Sequence, residues 1–183
     1  MRQLIFQELV TLDGYAAGPD DSLDFFSTVT DQGDQENLPL LESVDTMLLG
    51  ATTYRLFVEY WPTATDSLAP RLNALRKVVV SSTLTAAPWG EWEPGEIVTD
   101  AVAAVTALKE ESGKDIVLWG SISLFHSLLT AGLVDEVQLK VCPTVLGAGK
   151  RVFPSSAQFS LELIEAGPWA TNGAVLRYRP VTN

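Results

Sequence analysis

Two stretches of this sequence put small residues where a strand would run into a helix: Leu48-Leu49-Gly50-Ala51-Thr52-Thr53-Tyr54 and Leu118-Trp119-Gly120-Ser121-Ile122-Ser123. A glycine lets the chain turn tightly and a ligand approach the backbone. The first turn of a helix then offers unpaired N–H groups and a partial positive charge to an anion. Either turn could hold a phosphate, although the same Ser and Thr residues also serve as ordinary helix caps. Neither is a Gly-x-Gly-x-x-Gly dinucleotide motif, and no Walker loop occurs. A third stretch, Lys77-Val78-Val79-Val80-Ser81-Ser82-Thr83, ends an apolar run in three hydroxyls, which could accept a ribose or its phosphate or merely turn the chain. A fourth, Asp20-Asp21-Ser22-Leu23-Asp24-Phe25-Phe26, sets carboxylates beside aromatic rings, where they could grip the N–H groups of a ligand, cap a short helix or stay solvated.

Other chemistries are excluded by composition. Cys142 and His126 are the single cysteine and the single histidine, so no internal disulfide and no thiolate zinc cage can form, and a His/Cys/Cys zinc deaminase site is ruled out. No metal is expected. His126, one turn into its helix beside Phe125, reads as structural, and Cys142 before Pro143 reads as a packing residue. A net charge of −11 with scattered Lys and Arg argues against nucleic acid and anionic membrane as partners. No apolar stretch approaches the roughly 20 residues of a membrane span. The first ten residues place an acid inside their apolar run, unlike a signal peptide, so the expected compartment is the cytoplasm.

The elements that must position these residues alternate along the chain. Apolar, β-rich runs at Leu4–Val10, Thr46–Leu49, Lys77–Ser81, Ile97–Val98, Ile116–Trp119 and Val137–Val141 read as strands, most of them apolar on both faces. Helical patterns fall between them. Asp100–Ser112 is capped by Thr99 or Asp100 and ends at Gly113. Ser121–Ala131 ends at Gly132, Thr52–Tyr60 is stopped by Trp61-Pro62, and a fourth helix lies near Gln35–Ser43. Phe159–Glu165 and Ala174–Arg179, separated by Gly167-Pro168 and Asn172-Gly173, read as an antiparallel pair closing one edge. Gly14–Ser22 and Pro62–Pro70 read as loops. The expected class is α/β, with residues 1–183 forming one domain and a mostly parallel sheet.

Taken together, four segments carry a resemblance. They are Thr11-Leu12-Asp13-Gly14-Tyr15-Ala16-Ala17-Gly18, Leu49-Gly50-Ala51-Thr52-Thr53-Tyr54, Trp119-Gly120-Ser121, and Leu133-Val134-Asp135-Glu136-Val137 followed by Pro143-Thr144-Val145-Leu146-Gly147-Ala148-Gly149-Lys150. In order and spacing the chain resembles the dihydrofolate reductase superfamily, in the branch similar to the reductase domain of the bifunctional riboflavin-biosynthesis deaminase/reductase. The resemblance implies a three-layer α/β/α fold with a central mixed sheet and an antiparallel C-terminal strand pair. It also implies NADPH across the C-terminal ends of the strands. On it, Gly50, Thr52 and Thr53 face Gly120, Ser121, Ile122, Ser123 and Leu124 across the pyrophosphate, Ser81 and Ser82 contact the adenosine ribose, and Ala16 and Trp119 border the nicotinamide. Asp13 and Gly14 shape the loop beside it. Ala51 and Thr52 stand where many NADPH-selective relatives carry a basic residue, so NADH is left open. Ile122 stands where many relatives have glycine.

The implied activity is hydride transfer to a pyrimidine- or pteridine-like substrate, as in 5-amino-6-(5-phosphoribosylamino)uracil reduction. Dihydrofolate reduction, or a nucleotide-binding homo-oligomer without turnover, is the alternative. Asp24 is the expected catalytic carboxylate, Asp13 and Trp61 line the substrate site, and Lys150 after the Gly147–Gly149 loop meets a substrate phosphate. A homodimer is the expected assembly.

Overall fold

The computed structural model describes residues 1–29, 37–155 and 158–181. Eight strands form one sheet in the order β5-β4-β3-β6-β1-β7-β10-β9. They are β1 Leu4–Thr11, β3 Val44–Gly50, β4 Arg76–Val80, β5 Glu96–Val98, β6 Asp115–Trp119, β7 Glu136–Cys142, β9 Ser160–Trp169 and β10 Gly173–Val181. The six from β5 to β7 are mutually parallel, and β10 pairs antiparallel with both β7 and β9. A small second pairing joins β2, Tyr15–Ala17, to β8, Lys150–Arg151.

Helices cover both faces, because the parallel strands are apolar on both. Leu4 and Phe6 of β1 join one core with Val105 and Leu108 of α4 (Ala101–Glu110) and Phe125 and Leu128 of α5 (Ile122–Thr130). Ile5, pointing the other way, joins a second core. There it meets Leu40 and Leu41 of α1 (Leu38–Ser43), Tyr54 of α2 (Ala51–Tyr60) and Leu72 of α3 (Ala69–Ala74). The result is the three-layer α/β/α architecture with an antiparallel edge pair.

Helix boundaries follow local chemistry. Asp100 caps α4 by accepting the Ala103 N–H at 3.0 Å. At the end of α5 the Leu133 N–H reaches Leu128 O at 3.0 Å, around Gly132 at φ +68°, a glycine C-cap. The fourth expected helix is Leu38–Ser43; Gln35 and Glu36 lie outside the described residues.

Some elements differ from expectation. Gly167-Pro168 does not end a strand: β9 runs through it to Trp169, which proline permits because β9 is an edge with an unpaired side. The Gly14–Ser22 and Pro62–Pro70 stretches hold β2, one-turn 3₁₀ segments and the start of α3, elements too short for periodicity to reveal. No helix among the described residues is long and apolar enough to cross a membrane.

Candidate functional site

β3 and β6 are adjacent parallel strands, and each runs directly into a helix, α2 after Gly50 and α5 after Gly120-Ser121. The two turns are bolted together by hydroxyls. Ser121 Oγ accepts the Gly50 N–H at 2.8 Å and donates to Thr53 Oγ1 at 3.0 Å, while Thr53 Oγ1 also accepts the Ser121 N–H at 2.9 Å. Gly120 and Ser121 are both left-handed, at φ +56° and +55°. A Cβ on Gly120 would sit 2.9 Å from Thr53 Oγ1, so a side chain there would push the bolt apart. Ser121 spends its hydroxyl on the neighbouring turn and Gly50 has no side chain, so neither helix has a side-chain cap. Two uncapped helix N-termini thus meet on one wall, an arrangement that attracts an anion.

They open onto a cavity of about 730 Å³ at the C-terminal ends of the strands. Ala16, Gly50, Thr52, Thr53, Trp119, Gly120, Ser121, Ile122, Ser123 and Leu124 all line it, as do Trp61 and Lys150. The structure therefore brings together most of the residues singled out from sequence. Trp61 is set by Asn73, whose Nδ2 donates to the Trp61 carbonyl at 2.7 Å. Phe57 links Trp61 and Trp119 into an aromatic wall, its ring centre 6.2 Å from each.

Four expected contacts lie elsewhere. Asp24 is exposed on a 3₁₀ turn, Asp24–Thr28, and does not line the cavity; its neighbours Leu23 and Phe26 do. Asp13 is also outside the lining. Its Oδ1 accepts the Thr11 hydroxyl at 2.6 Å and the Leu146 N–H at 3.2 Å, and its Oδ2 accepts the Gly147 N–H at 2.7 Å. The Thr11 hydroxyl first, then these backbone donors, hold its carboxyl below the ordinary aspartate range. Asp13 thus braces two loops. Gly149 completes the brace, since a Cβ there would lie 2.1 Å from Ala17 O. Ser81 Oγ accepts the N–H groups of Thr83 at 3.1 Å and Leu84 at 3.0 Å, a local turn, and Ser82 is exposed; neither lines the cavity.

Sequence reasoning missed Gln7 and Glu8. β6 ends at Trp119, level with Gln7, whereas β1 continues to Thr11 beside β7 alone. The edge of β1 beyond Gln7 is therefore open to the cavity. Glu8 fills that opening: 8% exposed, it lines the cavity and its Oε1 accepts the unpaired Leu9 N–H at 2.9 Å. Burial outweighs this hydrogen bond and pushes the carboxyl up to about 8, so at neutral pH most of it is protonated and can donate. The available signal was an ionisable residue inside an apolar strand.

His126 Nε2 is 2.9 Å from the Val152 carbonyl, a structural contact. The buried Cys142 thiol is pushed up to about 11, so it is not a thiolate nucleophile.

A mostly parallel sheet with an antiparallel edge pair, and a cleft where β3 and β6 feed two helices, is a dihydrofolate-reductase-like fold. Dihydrofolate reductase from Enterococcus faecalis superposes with a TM-score of 0.62 at 12% identity, over 98% of this chain and 97% of that one. The chain belongs to the RibD C-terminal domain family, whose profile matches residues 2–175. It is similar to the uncharacterized protein YyaP of Bacillus subtilis (strain 168), at 32% identity over 164 residues, covering 83% of this chain and 80% of that protein. A Shewanella sp. PV-4 structure named for riboflavin biosynthesis superposes with a TM-score of 0.81 at 21% identity, over 98% of this chain and 99% of the other.

Proposed function

We propose that this reductase-family protein uses a reduced pyridine nucleotide, NADPH or NADH, to reduce a pyrimidine- or pteridine-like heterocycle. The observation that carries the reading is the hydroxyl bolt joining two uncapped helix N-termini beside Trp119. The residues present fit a dinucleotide: Gly50 and Gly120 leave the backbone bare at the two turns, and Thr52, Thr53, Ile122 and Ser123 would hold its pyrophosphate. The reduced nicotinamide, when bound, supplies the hydride.

The chain's own part is positioning and proton supply. The aromatic wall of Trp119, Phe57 and Trp61 excludes water from the reacting centre. Glu8 is the one buried carboxyl lining the cavity among the described residues, and its protonated form stands ready to donate to a heteroatom of the acceptor. Glu8 thus takes the catalytic role that sequence alone gave to Asp24.

Titration of the purified protein with NADPH and with NADH tests the reading. Energy transfer from tryptophan to the reduced nicotinamide and a raised melting temperature are expected with at least one of them, and Trp119→Phe should lose far more transfer than Trp169→Phe. Neither signal with either nucleotide overturns it.

A further inference from the structure

All twelve Lys and Arg residues fall within the described part of the chain, since residues 30–36, 156–157 and 182–183 contain none. Of the twelve, Lys150 alone lines the cavity, and its Nζ is held by Asp21 Oδ1 at 2.7 Å. Lys140 stands behind the wall, 3% exposed, with its Nζ 2.6 Å from Oδ1 of the lining residue Asn37. The cavity thus has two features that suit an anion, the helix N-termini, and the cofactor uses both. Phe57 and Trp61 stand seven and eleven residues along from Gly50, about 10–17 Å at the helical rise. Leu41 packs in the same apolar cluster as they do, and Leu9, Leu23 and Phe26 also line the cavity. An anionic substituent there would lose its hydration without gaining a free cation, and would face Asp21 as well.

Resting on the pyridine-nucleotide reading above, we propose that the acceptor half of this cavity takes an uncharged, planar heterocycle, hydrogen-bonded by the Glu8 carboxyl, and discriminates against acceptors that carry a carboxylate or phosphate. The Glu8 side chain has the geometry for this. Oε1 is committed to the Leu9 N–H, Oε2 has no partner among the described residues, and Glu8 itself stands on β1 just beyond Gln7, where β6 has ended, one strand over from Trp119. Burial keeps the group protonated at neutral pH, so it meets a ring carbonyl or ring nitrogen as a donor without bringing a charge.

The test uses a matched pair of probes, lumazine and lumazine-6-carboxylate, titrated at pH 6.5 with and without saturating NADPH. Tryptophan quenching and melting temperature are the readouts. The neutral probe is expected to bind at least tenfold tighter than the carboxylate. Glu8→Gln, which keeps a donor, should preserve that preference, and Glu8→Ala should weaken lumazine about tenfold. Asp21→Asn, on a side chain that is 69% exposed, releases Lys150 and should narrow the preference several-fold. Equal or tighter binding of the carboxylate overturns the inference, as does failure of both probes to bind a protein that does bind NADPH. An Asp21→Asn ratio unchanged from the parent's overturns the part given to the Lys150–Asp21 pair. Failure of NADPH alone strikes the cofactor reading, and charge selectivity is then decided by the titration without it.

Discussion

The indole N–H of Trp119 donates to Gln7 Oε1 at 2.8 Å, which fixes the tryptophan beside the two helix N-termini. The bond begins a chain across the sheet. Gln7 Nε2 donates to Gln138 Oε1 at 3.0 Å, Gln138 Nε2 to Glu136 Oε1 at 2.7 Å, and Glu136 Oε1 also accepts from Arg177 Nε at 2.6 Å. An indole can only donate and an ionised carboxylate can only accept, so the two ends dictate the orientation of both amides between them. A cavity-lining ring on β6 is thereby tied through β1 and β7 to a cation on β10.

Gln7→Leu breaks this chain at two places. Leaving the Trp119 donor and the Gln138 carbonyl without partners is expected to cost about 1–3 kcal/mol. Chemical denaturation measures it, and near-ultraviolet circular dichroism should show Trp119 losing its fixed environment. A Gln7→Leu, Trp119→Phe double mutant should be less destabilised than the two single changes added together.

Thr53→Val keeps the volume and removes the oxygen that accepts both the Ser121 N–H and the Ser121 hydroxyl. The same range of about 1–3 kcal/mol applies to stability. Nucleotide affinity should fall with it, because both helix N-termini lose their relative placement. Ser82→Ala, on an exposed side chain, should leave both unchanged.

Glu8 makes stability depend on pH in a definite sense. Its carboxyl titrates near 8 in the folded protein against the ordinary 4.5, so between those values the folded state holds a proton that the unfolded state has released. Stability from this group is complete below the unfolded value and is lost as pH rises through the folded one. Glu8→Gln removes the dependence. Its melting temperature relative to the parent protein should therefore climb from pH 5 to pH 8.5, by an amount worth at most a few kcal/mol.

Asp13 and Asp24 separate by hydrogen exchange. Asp13→Asn should speed exchange at the Leu146 and Gly147 amides, whose acceptor it weakens. Asp24→Asn should leave those amides, nucleotide binding and lumazine binding within about twofold, well under the 1.4 kcal/mol of a tenfold change.

The homodimer remains a proposal with a surface to test. The outer strand β9 leaves Leu163 55% and Ile164 39% exposed beside an unpaired strand edge. Light scattering should give twice the one-chain mass, and Ile164→Lys should reduce it. A one-chain mass for the unmodified protein would count against the dimer.

The strand-to-helix turns at Gly50 and Gly120, the six parallel strands and the major helices were legible in the sequence, because they rest on local chemistry: apolar runs, helix-period spacing, glycine and caps. The order of strands in the sheet was not, and it decided the site. Only when β6 lies beside β1 and stops level with Gln7 does the edge of β1 become an opening, and only then is Glu8 a buried acid instead of one more charge on a strand. Asp13, Asp24 and Ser81 likewise have residue types that suit ligand binding, yet Asp13 is held by the Thr11 hydroxyl and loop N–H groups, Ser81 by the N–H groups of its own turn, and Asp24 is exposed. Residue type and spacing set which chemistry a side chain can do, whereas the strands that bury Glu8, the Trp119–Gln7 bond and the loop amides that hold Asp13 come from segments more than a hundred residues apart in the chain.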